Sequence, residues 1–166
     1  MKFIVDHNVG KLVKRLRMMG CDTLFFTGED DWEMVIIALR QERVILTRDS
    51  GVMKMGAITT GRVKAIFIES DNPDEQLRQV AEAVDLSKCG DGFLTICLEC
   101  NQPLEKRTME EVKDRVPPYV YKTQEAFMEC SSCRKIYWKG THWQAMSGEL
   151  EKVMQISREK NKPHDG

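Results

Sequence analysis

Four cysteines and four aspartates carry most of the chemistry this sequence can do. Cys97 and Cys100 form one Cys-x-x-Cys knuckle and Cys130 and Cys133 a second, with 29 residues between them. Two-residue spacing lets both thiolates of a knuckle reach one ion, and two knuckles complete a tetrahedral set. Four thiolates leave no open position, so the zinc they predict is structural. Such a site contributes about 10–16 kcal/mol in zinc-finger peptides, enough to hold a small module that lacks a large core. Buried or redox-active cysteines are the competing reading, but a thioredoxin-type pair has no need of two matched knuckles. Cys21 has no partner pattern and reads as a core or surface thiol, and Cys89 would be a fifth candidate for a site already filled.

The acids are spaced for a different chemistry. Phe3-Ile4-Val5-Asp6 and Val44-Ile45-Leu46-Thr47-Arg48-Asp49 are apolar β-forming runs that each end in a carboxylate. Glu29-Asp30-Asp31-Trp32-Glu33 places four more at one helix start, and Asp71 follows a fourth apolar run. Mg²⁺ and Mn²⁺ prefer oxygen ligands of this kind, and phosphoryl hydrolysis needs the charge neutralisation and activated water they supply. Acids also gather at helix N-termini for capping and for the macrodipole. That duty accounts for Asp30 and Asn72, and it competes with function at Asp31 and Glu33. Asp6 and Asp49 have no obvious structural duty. His7, Asn8 and Arg48, next to them in sequence, are candidates for contacting substrate, a water or a phosphate. An aspartyl-phosphate mechanism at Asp6 is disfavoured, because Asp6-His7-Asn8 lacks a second acid two residues on.

Two stretches suit nucleic acid. Lys11-Leu12-Val13-Lys14-Arg15-Leu16-Arg17 holds four basic residues and no acid, a run that can track a phosphate backbone or simply be solvated. Lys135-Ile136-Tyr137-Trp138-Lys139-Gly140-Thr141-His142-Trp143 interleaves bases with aromatics, which stack on unpaired bases. Packing is the simpler duty for Tyr137 and Trp138, whereas His142 and Trp143 are balanced between packing and RNA.

The elements that must position these residues follow from periodicity. Strands are expected at Lys2–Val5, Thr23–Phe26, Arg43–Thr47 and Lys64–Ile68. A helix from Gly10 to Met19 places Leu12, Val13, Leu16 and Met19 on one side and ends at Gly20, a natural C-cap. A second starts at a capping box, Asp30 with Glu33, and carries Trp32, Val35, Ile36 and Leu39 as its apolar face. Ser50–Ile58 is ambiguous. Asn72 caps a further helix with Pro73 at N1, whose Leu77, Val80, Ala81 and Val84 share one face. This alternation over residues 1–86 predicts an α/β fold with a mostly parallel sheet flanked by helices. From Ser87 the texture changes to glycine, cysteine and short β-like runs. Residues 87–146 read as a zinc ribbon, with a Thr108–Val116 helix opened by a Thr108/Glu111 capping box and strands at Tyr119–Tyr121 and Ile136–Trp138. After Trp143, Met146, Leu150, Val153 and Met154 define a last amphipathic helix, and residues 147–166 read as a C-terminal helix and a polar, disordered tail from Asn161.

Composition excludes other classes. No stretch approaches the roughly 18–20 apolar residues of a membrane span, and Asp6 interrupts the only apolar run near the N-terminus. The expected setting is cytoplasmic, with a nuclear one as the alternative, and there six cysteines argue against a disulfide framework. With a net charge of −1, any affinity for nucleic acid must come from local patches.

Taken together, KFIVDHN, KLVKRLRMMGCDT, RVILTRDSG, CLECN with CSSC, and VPPYVY with YWKGTHW resemble the Mut-seven C-terminal RNase domain family over about residues 2–146. The resemblance implies a PIN-like nuclease domain fused to a zinc ribbon, and a metal-dependent ribonuclease. PIN nucleases gather acids at the C-terminal edge of a parallel sheet. Asp6 and Asp49 match the first and a central acid, Asp31 matches the acid heading the second helix, and Asp71 is the weakest match. The resemblance thus implies Asp6, Asp31 and Asp49 around Mg²⁺ or Mn²⁺, zinc on Cys97, Cys100, Cys130 and Cys133, and single-stranded RNA as the partner. Lys11, Lys14, Arg15, Arg17, Arg48, His142 and Trp143 are the candidate RNA contacts. Endonuclease action is the simpler expectation. The competing class is an inactive RNA- or ribosome-binding adaptor, and homodimerisation or a protein partner stays open.

Overall fold

The computed structural model describes residues 1–90 and 92–162. Four short strands, β1 (Lys2–Val5), β2 (Asp22–Phe25), β3 (Arg43–Thr47) and β4 (Ala65–Phe67), form a parallel sheet in the order β2-β1-β3-β4. The register sets Val5 opposite Phe25 on one side and Leu46 on the other. Every residue of β3 is buried, as expected of a strand covered on both faces. Strand side chains alternate, so Phe3, Val5, Val44 and Leu46 face one layer while Ile4 and Ile45 face the other.

The first layer holds α1 (Leu12–Met18) and α5 (Pro73–Ala83), packed through Leu12, Leu16, Leu77 and Val80. Asn72 caps α5, its Oδ1 accepting from the N–H groups of Asp74 (2.8 Å) and Glu75 (3.3 Å) ahead of Pro73 at N1. The second layer holds α2 (Asp31–Gln41), with Asp30 as N-cap, accepting from Trp32 N–H at 2.9 Å. It is completed by α3 (Ser50–Met53) and α4 (Gly56–Thr59), two short turns that resolve the ambiguous Ser50–Ile58 stretch.

The buried side of α2 differs from the expected one. Met34, Val35 and Ala38 enter the core, while Trp32 (57% exposed), Ile36 and Leu39 face outward. Asp31, Met34, Val35 and Ala38 lie at i, i+3, i+4 and i+7 on a single stripe. Turning that stripe to the sheet brings Asp31 to the strand tips, and the competing stripe of larger apolar residues is left on the surface.

The remaining chain builds a second sheet, antiparallel in the order β5 (Leu104–Arg107), β6 (Phe127–Cys130), β7 (Ile136–Tyr137), with two short helices, α6 (Met109–Val112) and α7 (Pro118–Thr123). Tyr119–Tyr121, expected as a strand, is helical. Pro118 stands at N1, where its missing N–H costs nothing, and Tyr121 N–H returns to Pro117 O at 3.0 Å. The Thr108/Glu111 capping box is present, but its helix ends at Val112. On the inner side of the ribbon Glu129 is fully buried and receives Arg107 (2.7 Å), Arg115 (2.6 Å) and Arg134 (3.0 Å).

The last helix, α8 (Thr141–Lys160), starts earlier than expected and places Leu150 and Val153 in the first-sheet core. Ser157 fastens it, donating to Val84 O (2.7 Å) and accepting from Leu86 N–H (2.8 Å). Asn161, expected to begin a disordered tail, is held by its Nδ2 on Ala81 O (3.2 Å) and Ser157 O (2.8 Å). The rest of that expectation, for 163–166, lies outside the described residues.

The two sheets meet at the first knuckle. Asn101 donates from Nδ2 to Asp22 (2.7 Å) and accepts from Thr23 N–H (2.8 Å), and Leu94 N–H donates to Met18 O (2.8 Å). Gly20 sits in this seam with φ +80°, and a Cβ there would lie 2.3 Å from Gly92 O. Both the left-handed backbone and the close approach require glycine. Among the described residues no helix is long and apolar enough to cross a membrane.

Candidate active site and metal centre

The C-terminal ends of β1 and β3 lie side by side, and the chain beyond each carries an acid. Asp6 N–H donates to Leu46 O (3.0 Å), which fixes Asp6 at the sheet edge. Its carboxylate is only 3% exposed. One oxygen accepts from Thr47 Oγ1 (2.7 Å) and Asn8 Nδ2 (2.8 Å), and the other lies 2.7 Å from His7 Nδ1. Three of the roughly four lone-pair positions of a carboxylate are thereby used. Thr47 Oγ1 also accepts from Asp49 N–H (2.9 Å), and Asn8 Oδ1 accepts from Arg48 N–H (3.1 Å). Asp49 caps α3, accepting from Gly51 N–H at 2.6 Å.

Asp31 approaches from the head of α2. Its carboxyl is raised above the usual range, by burial first and then by the negative fields of Asp49, Asp6 and Asp30. Asp31 therefore feels the charge of both strand-tip acids from the start of α2. Among the described residues no three carboxylates bring ligand oxygens within 4.8 Å of one another, because Asp6 is turned to Thr47 and His7 and Asp49 to Gly51. The donor set itself, all hard oxygens, fits a magnesium- or manganese-sized cation.

Asp71 stands apart from this trio, exposed and ion-paired with Arg48. The pair borders a cleft of about 460 Å³, also lined by His7, Asn8, Lys11 and Gln76. Gln76 donates to Ser70 O (2.9 Å), while its buried Oε1 has no partner.

The basic run of α1 is divided by the fold. Lys11 is exposed, Lys14 pairs with Glu99 (2.8 Å) and Arg15 with Asp74. Arg17 is not on the surface at all. It is 7% exposed and spends its donors on Thr23 O (2.8 and 3.0 Å), Leu98 O (2.8 Å) and Glu99 O (3.0 Å), holding the first knuckle to β2. His142 is exposed. Trp143 is half-buried between the two cores, edge-on to Phe93 with centroids 5.7 Å apart and with Lys139 Nζ 5.4 Å above its ring. Both border an aromatic groove of about 490 Å³ with Tyr119 and Trp138.

Cys97, Cys100, Cys130 and Cys133 converge, with all four sulfurs within 4.8 Å of one another. Cys97 Sγ and Cys133 Sγ are 3.7 Å apart, close to the roughly 3.8 Å edge of a tetrahedron with zinc–sulfur bonds of about 2.3 Å. Cys97 is pulled down to about 6. Burial opposes this, but hydrogen bonds from the Tyr137 hydroxyl (3.3 Å), the N–H groups of Cys100 and Glu99, and the Cys130 thiol outweigh it. Cys100 is pushed up to about 12, chiefly by its hydrogen bond with Cys133. Four thiols this close ionise together only around a cation, so the cluster fits zinc, and a zinc held by four sulfurs would have no open position. Cys21 is buried in the first core and Cys89 packs against it, and neither joins the cluster.

Several residues were not evident in sequence. Thr47 reads as the last residue of a strand, Tyr137 as an ordinary aromatic and Glu129 as a surface acid of a knuckle. Only the tertiary fold gives them their partners: β1 beside β3 brings Asp6 to Thr47, β5 beside β6 brings Arg107 to Glu129, and the closing of the two knuckles brings Cys97 to Tyr137.

A parallel α/β sheet with acids at its carboxyl edge, joined to a four-cysteine centre, defines a nuclease-like protein of zinc-binding type. The family model described as Mut7-C RNAse domain matches residues 1–150 of the 166. The chain belongs to that family. Among curated proteins and among solved structures nothing matches.

Proposed function

We propose that the protein is a metal-dependent ribonuclease that hydrolyses phosphodiester bonds of single-stranded RNA, with its active site at Asp6, Asp31 and Asp49. The observation that carries this reading is the side of α2 turned to the sheet. Burying Met34, Val35 and Ala38 leaves Trp32, Ile36 and Leu39 in water, a cost explained if this turn of the helix serves to hold Asp31 in the field of Asp6 and Asp49. Asp6, Asp31 and Asp49 would hold one or two Mg²⁺ or Mn²⁺ ions, which supply charge neutralisation on the phosphate and a more acidic water.

The chain's own groups have separable tasks. Thr47 and Asn8 orient the Asp6 carboxylate. Lys11 and Arg48 border the neighbouring cleft and offer charge to the phosphates on either side of the scissile one. In the hydrolysis a water oxygen bonds to phosphorus, the bond to the departing sugar oxygen breaks, and that oxygen takes a proton. The clefts are open at the sheet edge, which suits a strand passing through and hence endonucleolytic cutting. Asp71 serves as the partner of Arg48 and is released when RNA phosphate takes its place. The ribbon is fixed to β2 by Arg17 and Asn101, and the first turn of α8 adds His142 and Trp143 to the RNA surface.

The test is incubation of purified protein with labelled single-stranded RNA and Mn²⁺, beside Asp6→Asn/Asp49→Asn. Internal cuts by the wild type and none by the double variant are expected. Binding without cleavage by the wild type would overturn the ribonuclease reading in favour of the adaptor.

A further inference from the structure

Phe25 ends β2, pairs in register with Val5, and so stands on the strand next to the one that delivers Asp6. It is 44% exposed. Its ring lies over Gly10, where a Cβ would come within 3.0 Å of two ring carbons, so glycine lets the ring lie close to the start of α1. The ring forms part of a groove of about 620 Å³ between α1 and the first cysteine knuckle. Val13, Pro73 and Leu98 make its apolar surface; Lys11, Lys14, Arg15 and Arg17 are its cations and Glu99 its one acid. Gly10 and Lys11 also line the cleft that holds His7 and Arg48, so the groove adjoins that cleft, and His7 touches Asp6.

We propose that this groove is a subsite for an unpaired nucleobase of the RNA strand, with Phe25 as the stacking platform and Lys11 as the phosphate contact. The inference rests on the ribonuclease reading and deepens it, adding a binding residue outside the acids. An exposed aromatic ring with cations at the margin is what binds single strands irrespective of sequence. Charge decides for a nucleic-acid occupant over an apolar peptide. Among the described residues Lys11 has no ion-pair partner, whereas Lys14 and Arg15 are engaged by Glu99 and Asp74. A duplex does not serve, because its bases are stacked on one another and offer no face to the ring.

The experiment uses full-length Asp49→Asn, so that the strand stays intact, and reads anisotropy of a short fluorescein-labelled single-stranded RNA in Mn²⁺. Phe25→Leu in that background keeps apolar bulk and loses the ring. It should weaken binding about tenfold or more with an unchanged melting temperature, and in the active protein it should raise KM with kcat held. Phe25→Trp should retain affinity, its added emission being quenched by single-stranded but not duplex RNA. Lys11→Gln should lower the salt slope of log K by about 0.7, one single-strand phosphate contact. Equal affinity and equal KM for Phe25→Leu, with RNA still bound and cut, would overturn the platform and leave the ribonuclease reading standing. If the wild type neither binds nor cuts RNA, both readings fall.

Discussion

Thr47 stands between Asp6 and Asp49, donating its hydroxyl to the first (2.7 Å) and accepting the backbone N–H of the second (2.9 Å). One buried hydroxyl thus ties together two acids that neighbouring strands deliver. Thr47→Val keeps the shape and removes both bonds, leaving a buried carboxylate oxygen and an amide short of a partner. A loss of about 1–3 kcal/mol is expected, read as a shift in denaturant midpoint at constant m-value. Cleavage should fall as well, because Asp6 is then held only by Asn8 and His7, both on its own loop. Thr47→Ser, which retains the hydroxyl, should recover most of both. Full activity in the valine variant would detach the hydroxyl from the acids' function.

Asp31 sits in the field of Asp49 and Asp6, and its carboxyl is raised above the usual range, by burial first and by those two acids next. A carboxyl that holds its proton more tightly folded than unfolded favours folding at low pH. Its contribution is therefore lost as pH rises from about 3.9, the ordinary aspartate value, through the raised one. In metal-free buffer Asp31→Asn should match the wild type at pH 3 and melt higher at pH 7. Millimolar Mn²⁺ should raise the melting temperature of the wild type more than that of the variant. Equal metal shifts would place the cation elsewhere.

Local signals carried through to the fold, and long-range ones did not. Asp30 and Asn72 are caps, and Thr108 with Glu111 forms its box, because each depends on three or four neighbouring residues. Knuckle spacing was enough to bring the four sulfurs together. The buried side of α2 was not legible from hydrophobicity. Trp32-Val35-Ile36-Leu39 and Asp31-Met34-Val35-Ala38 are overlapping stripes, and the choice is made by what Asp31 meets at the strand tips. β5 and β6 are not legible because Leu-Glu-Lys-Arg reads as polar and Glu129 interrupts the apolar Phe-Met-Glu-Cys run unless it is known to be buried among arginines. Arg17 was grouped with surface bases for the same reason: its partners are carbonyls far along the chain, at Leu98 and Glu99.

Glu129 is held down to about 2, by its hydrogen bond with Arg115 first, against burial, and by Arg107 and Arg134. A depressed carboxyl stabilises fully above its unfolded value, about 4.3, and the contribution is lost as pH falls from there to about 2. The stability difference between wild type and Glu129→Gln should be constant from pH 7 to about pH 5 and shrink below that. Comparing the two proteins at matched pH cancels the acid sensitivity common to both, including protonation of the cysteines. A pH-independent difference would mean that packing, and not charge, is what the glutamine removes.

The cysteine centre should hold one zinc per chain, and losing it should reach the first domain's edge. The knuckle residues Leu98 and Glu99 receive Arg17, and Asn101 receives β2, so a knuckle released from its metal no longer satisfies a buried guanidinium. Arg17 Nε and Nη2 keep Thr23 O, so the cost is that of the buried Nη1 donor left without an acceptor, about 1–3 kcal/mol. Chelation, or Cys97→Ser, should therefore lower the melting temperature of the whole chain and increase hydrogen exchange at Thr23 as well as in the ribbon. Cys21→Ser, outside the cluster, should leave the zinc content at one. The measurements are elemental analysis of the purified protein and exchange by mass spectrometry. If the ribbon alone loosens while β2 stays protected, Arg17 finds other partners and the coupling through the knuckle is absent.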